Sequence, residues 1–290
     1  MQAAGDRAGG ARGAAGLIAA FLAGLAAVAG GGDAAAYRPD ALRAATRIAR
    51  RPRPAGSDAE LRAHASVARG FRRAGLDVDV QRFAVPGRGR SRNVIGKLAT
   101  PGRCLRIVMA HTDTTAGAPG ANDNASGVGT LVALAPRLRR LEPGCDVWLV
   151  ATGAEERIYT GSPDHLGALA LARRVRARRL PLRWALSLDE VGRDRPFWLR
   201  SPVSAPRAKV ETALLRAGRR AGTAVSWVRD DGSGNSDHRE FQLLGLPAAK
   251  LGVGADGEPC RHSPCDVASR LDRESLRQAR RLVERALSSR

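Results

Sequence analysis

Two hydrophobic rhythms alternate along this chain. One is near-continuous, as in Ile107-Val-Met-Ala, Cys145 to Thr152 and Leu182 to Leu188, the pattern of strands buried on both faces. The other recurs at helical spacing, as in residues 39–50, where Leu42, Ala45, Ile48 and Ala49 share one stripe. Arg51-Pro-Arg-Pro-Ala-Gly ends that first helix. Ser57-Asp-Ala-Glu60 is a capping box that opens a second helix, and Gly75 closes it. Strands are predicted over Asp77 to Val85, from Asn93 to Ala99 and over 104–110, with a turn at Pro86 to Arg92. Further strands are predicted around Phe197, over Thr223 to Val228 and over Leu246 to Leu251. Helices are predicted from Ala125 to about Arg140, near 164–178, over 206–220 and over about 271–288.

This alternation predicts a three-layer α/β/α fold with a mixed, mostly parallel central sheet. No internal repeat interrupts it. In such sheets the ligand crevice lies outside the carboxyl ends of the strands. His111, Glu155, Glu156 and Asp189 all fall just after predicted strands, so they are expected to converge on one edge of the sheet.

Each of these residues has an ordinary reading beside a chemical one. A histidine after a strand is most often a satisfied polar group, but His111 is followed by Asp113, which could accept its distal N–H and orient the imidazole for a metal. Asp123 lies among small residues, where it could cap the following helix or approach ions. Glu155 and Glu156 could be a solvated pair, yet adjacent carboxylates after a buried strand repel each other, and a cation relieves that repulsion. Asp189 is a strand-end carboxylate that is either capped by N–H groups or bound to metal. With His262, these form a His and carboxylate set suited to a pair of zinc-like ions. His64, mid-helix, and His165, early in a helix, read as structural or exposed. Asp237 and His238, after a Gly-rich loop, are expected behind the ligands or on the substrate side.

Composition adds three points. Residues 1–32 carry Arg7 and Arg12, then an apolar run from Gly16 to Gly30 and small residues, the pattern of a signal peptide or an N-terminal anchor. That leaves 37–290 as the folded domain and predicts export to the cell surface or beyond. The four cysteines agree, since an even count in an exported chain suggests disulfides. Cys104 and Cys145 each open a predicted strand and so could sit side by side, while Cys260 and Cys265 bracket His262. A structural zinc on Cys260, His262 and Cys265 would lack a fourth local ligand. The net charge of +20 is mostly arginine spread along the chain, without a nucleic-acid motif and with few aromatics for base stacking, so no nucleic-acid partner is expected. No partner protein is evident either.

In combination, His111-x-Asp113, Gly120-Ala-Asn-Asp123-Asn-Ala-Ser-Gly, Glu155-Glu156, Leu188-Asp189-x-Val-Gly, Ser236-Asp-His-x-x-Phe and Cys260-x-His262-x-x-Cys265-Asp266 resemble the secreted bacterial di-zinc aminopeptidases, zinc exopeptidases related to glutaminyl cyclases. The resemblance runs from about Asn93 to the terminal helix, with a weaker echo at Pro54-Ala-Gly-Ser. It implies that His111 and Asp189 hold one zinc, that Glu156 and His262 hold the other, that Asp123 bridges them and that Glu155 is the general base. It implies two Zn2+ ions, or other divalent transition metals, and a peptide or small aminoacyl substrate cut at its N-terminus. A glutaminyl-peptide cyclotransferase, or a non-catalytic binding domain on the same fold, is the alternative. Two departures stand out. Arg261 precedes the metal histidine where the exported branch has a tyrosine, which makes Arg261 a candidate for contact with substrate. The segment Arg157-Ile-Tyr-Thr-Gly-Ser-Pro-Asp-His differs from the usual Leu-Gly-Leu-type continuation.

Overall fold

The structure is a computed structural model that describes residues 37–156, 165–193, 196–201, 210–230, 236–253 and 257–288. An eight-stranded sheet runs through it in the order β1-β2-β4-β3-β5-β8-β6-β7. The strands are β1 (Asp77–Val85), β2 (Gly89–Leu98), β3 (Leu105–His111), β4 (Asp146–Thr152), β5 (Leu182–Asp189), β6 (Phe197–Ser201), β7 (Val225–Arg229) and β8 (Ala248–Gly252). Strands β4, β3, β5 and β8 are mutually parallel, as are β6 and β7. The pairs β1–β2, β2–β4 and β6–β8 are antiparallel, so the sheet is mixed.

Alternating side chains feed two cores, one on each face. Val108 and Ala110 of β3, Leu149 and Ala151 of β4, and Leu186 and Leu188 of β5 face one layer. There they meet helices α1 (Ala41–Ile48), α2 (Asp58–Arg73), α3 (Ser126–Leu134), α5 (Glu211–Ala221) and α7 (Arg273–Leu287). Ile107, Met109, Val150 and Ala185 face the other layer, against α4 (Leu166–Ala177) and α6 (His238–Leu243). This is the expected three-layer arrangement. It also explains why the central strands read as continuous apolar runs: both of their faces are covered.

Several local expectations need correction. Strand β2 starts at Gly89 within the predicted turn, because Val85 pairs with Gly89 and the hairpin closes there. The predicted helix from Ala125 to Arg140 is two pieces, helix α3 and a 3-10 segment over Ala135–Leu141 with Pro136 near its start, and a π-turn over Ala121–Ala125 leads into it. Proline has no N–H to continue an α-helical ladder, which accounts for the break. Helix α6 has no counterpart among the predicted elements. Ser57 caps α2 by accepting from the Glu60 N–H, but the Glu60 carboxylate does not return to Ser57. It accepts instead from Gly56 N at 2.7 Å and Ser91 Oγ at 2.6 Å, fully buried. The proposed signal segment 1–32, the stretch 157–164, residues 206–209 of a predicted helix and the Gly-rich loop 231–235 lie outside the described residues.

Candidate metal centre

The parallel strands deliver their carboxyl ends side by side. His111 ends β3, Asp189 ends β5, and Glu155 and Glu156 follow β4 by three and four residues. Asp123 comes from the π-turn before α3, and His262 from the loop before α7. These residues assemble around Asp123. Its Oδ1 lies 3.0 Å from His111 Nε2, which is also 3.4 Å from Asp189 Oδ1. Its Oδ2 lies 3.3 Å from His262 Nε2, which is 3.0 Å from Glu156 Oε2. Two donor triads therefore share one carboxylate: His111, Asp123 and Asp189 on one side, and Asp123, Glu156 and His262 on the other. Glu155 groups with His111 and Glu156 beside them.

Two further carboxylates hold this set by its main chain. Asp113 Oδ1 accepts the Glu155 N–H at 3.0 Å and Oδ2 accepts the Glu156 N–H at 3.1 Å. Asp266 does the same for the Asp123 turn, taking Asn122 N–H at 2.7 Å and Asp123 N–H at 3.0 Å. The expectation that the Asp113 carboxylate orients His111 meets a different arrangement. His111 Nδ1 lies 3.2 Å from the Asp113 carbonyl oxygen and 3.8 Å from its carboxylate, so the main chain is the nearer acceptor. Gly120, at φ 61°, starts the Asp123 turn in the left-handed region, and a Cβ there would lie 2.3 Å from Thr114 Cγ2. Arg53, buried, binds the carbonyls of Thr112, Pro119 and Gly120 and so ties the segment after His111 to that turn.

The electrostatics fit a divalent pair. Burial pushes Glu155 well above the usual carboxylate range. Burial and the charge of Asp123 push Glu156 up to about 7. Hydrogen bonds to Asp123 and Glu156 raise His262 to about 10. Burial alone would lower His111, but Glu155, Asp123 and Asp189 together raise it well above 6.5. The carboxylates crowd one another in this buried site, and divalent ions there would relieve their repulsion. Glu156 Oε1 and Asp189 Oδ1 are buried without a hydrogen-bond partner among the described residues, as free lone pairs for a cation. Two imidazoles with carboxylate oxygens suit zinc, and also cobalt or manganese.

The remaining expected residues stand behind or beside this set. Asp237 accepts from Thr152 Oγ1 at 2.5 Å, and His238 Nε2 lies 3.2 Å from Asp230 Oδ2; both are buried. Arg261 is committed to Glu190, with Nε 2.6 Å from Oε1 and a second bond from Nη2 to Oε2. Lys250, unanticipated, places Nζ 2.7 Å from Asp189 Oδ2 and is buried. Its signal was present in the sequence: a lysine inside the apolar strand Ala248–Gly252 requires a buried partner. Glu60 and Arg53 are also buried, but no local pattern announced it.

Both cysteine pairs are disulfides. Cys104–Cys145 joins the starts of neighbouring strands β3 and β4. Cys260–Cys265 closes the loop that carries His262, whose φ is 58° and whose side chain is 49% exposed. With so little packing around the ring, the bracket is expected to position it. Replacing both cysteines by serine is expected to weaken one metal by about tenfold, the scale of lost support around a ligand. The short loop contributes only roughly 2 kcal/mol to the metal-free fold in the loop-closure model. Metal titration alongside thermal melting of the stripped protein measures both, and unchanged affinity would refute the positioning role.

The family model described as peptidase family M28 matches residues 93–287. The curated aminopeptidase YwaD of Bacillus subtilis is 28% identical over 197 residues, which is 62% of this chain and 40% of that protein, so the match spans less than half of the relative's length. Among solved structures, a leucine aminopeptidase precursor from Bacteroides thetaiotaomicron superposes with a TM-score of 0.77 at 19% identity, covering 87% of this chain and 96% of that one. A zinc aminopeptidase from Bacillus subtilis gives 0.75 at 18%, covering 85% and 93%. A glutaminyl cyclase from Bacteroides thetaiotaomicron gives 0.75 at 18%, covering 88% and 100%. The likeness to these structures shows a shared fold. The family match contains every residue assembled above from His111 to His262, and on that ground the chain belongs to peptidase family M28.

Proposed function

We propose that this protein is an exported, metal-dependent aminopeptidase that releases N-terminal residues from peptides. The single observation that carries this reading is the division of Asp123 between two His and carboxylate triads, with Glu155 buried beside them. His111 and Asp189 would hold one ion, Glu156 and His262 the other, and Asp123 both. When bound, the ions supply Lewis acidity that polarises the scissile carbonyl and acidifies water. Glu155, held by its N–H on Asp113, takes the proton of the attacking water and returns it to the leaving amine. The two disulfides support export, since such bonds persist in oxidising compartments.

The test is a panel of aminoacyl anilides and short peptides offered to the zinc-loaded protein. Release of the free N-terminal residue, lost on chelation and restored by added metal, is the expected result. Ring closure of an N-terminal glutamine without hydrolysis would assign the cyclase reaction instead. Tight peptide binding with no turnover on any substrate would make this a binding domain.

A further inference from the structure

His165 precedes α4 and is expected from sequence to be structural or exposed. Its ring is fully buried, and its two nitrogens face two carboxylates. Nδ1 lies 3.2 Å from Glu240 Oε1, within hydrogen-bond reach. Nε2 lies 3.6 Å from Glu155 Oε1 and has no hydrogen-bond partner among the described residues. Glu240 sits on α6, and is itself buried. The two helices that share the second layer of the fold thus bring an imidazole and a carboxylate in behind the side chain to which the proposed reaction assigns proton transfer.

We propose that His165, oriented by Glu240, is a positioning residue for Glu155. A carboxylate on Nδ1 fixes both the rotation of the imidazole and its tautomer. The opposite nitrogen is then aimed at one oxygen of Glu155, leaving the other oxygen for the substrate water. A purely structural histidine tying α4 to α6 would need only the Glu240 bond. Turning a second, unpartnered nitrogen onto the base has no use in that role, because a buried polar atom without a partner is unfavourable.

This inference rests on Glu155 being the general base, and the experiment separates the two. His165→Ala is expected to lower kcat about 10- to 100-fold, with KM within about threefold and both metals retained, the scale of a misplaced proton-transfer group. His165→Gln, whose amide can reach the position of Nε2, is expected to recover at least about tenfold of that loss. Glu240→Gln, which keeps the volume of the side chain, should lower kcat in the same direction and serves if His165→Ala does not fold. In a Glu155→Gln background, His165→Ala should add nothing, because the group it positions is already gone. Full kcat in both His165→Ala and Glu240→Gln, with Glu155→Gln at a small residual rate, would overturn the positioning role alone. Equal losses in Glu155→Gln and in the double variant support it, and additive losses overturn it. Full kcat in Glu155→Gln would overturn the base assignment and this inference with it.

Discussion

Glu155→Gln is expected to lower kcat by about 10²–10⁴-fold, to a small residual rate, while leaving about two ions bound per chain. The substitution keeps the shape of the side chain and the main-chain bond from Glu155 N–H to Asp113 Oδ1. What it removes is a carboxylate able to accept a proton. General-base contributions run to about 10²–10⁴-fold, which sets the size of the expected fall. The alternative is concrete, since Glu155 also groups with His111 and Glu156 as a possible ligand. In that case the glutamine variant would bind one metal more weakly. Metal analysis beside single-turnover kinetics decides: a full complement with only the residual rate makes Glu155 the base, and a lost ion makes it a ligand.

Asp123→Asn is expected to weaken both metals together. One carboxylate oxygen faces His111 and the other faces His262, at 3.0 and 3.3 Å. An amide can offer only one oxygen, carries no charge, and turns an NH2 toward the opposite triad. Each affinity should fall by about tenfold or more. Titration of the stripped variant with zinc should show both phases displaced. A titration with one phase at its original position would make Asp123 a ligand of a single ion. The variant should still fold, because Asp266 holds the Asp123 turn through the main-chain N–H groups of Asn122 and Asp123 rather than through the Asp123 side chain.

Much of this was legible in one dimension because it depends on one-dimensional rules. A strand covered on both faces must be apolar throughout, so β3, β4 and β5 announce themselves, and β1 is matched from Asp77 to Val85. A parallel sheet places the carboxyl ends of its strands together, so His111, Glu155, Glu156 and Asp189 could be placed on one edge from their positions after strands. Segment ends were less legible where backbone chemistry competes with periodicity, as at the hairpin closed by Gly89 and at Pro136. Helix α6 is only six residues long, too short for its spacing to stand out.

The sequence by itself determined the layered fold, the strand-end positions of the candidate site's carboxylates and His111, and the cysteine bracket around His262. Only the tertiary structure decided how those side chains divide. It placed the two oxygens of Asp123 toward different triads and the Asp113 carboxylate on the main chain of Glu155 and Glu156. It also brought Lys250 to Asp189, Arg261 to Glu190 and His165 to Glu155. These partnerships join residues that are mostly far apart in the chain. A charged or polar side chain carries no periodic signal of its partner, because its pairing is set by what else is buried within a few ångström once the sheet has closed and excluded water.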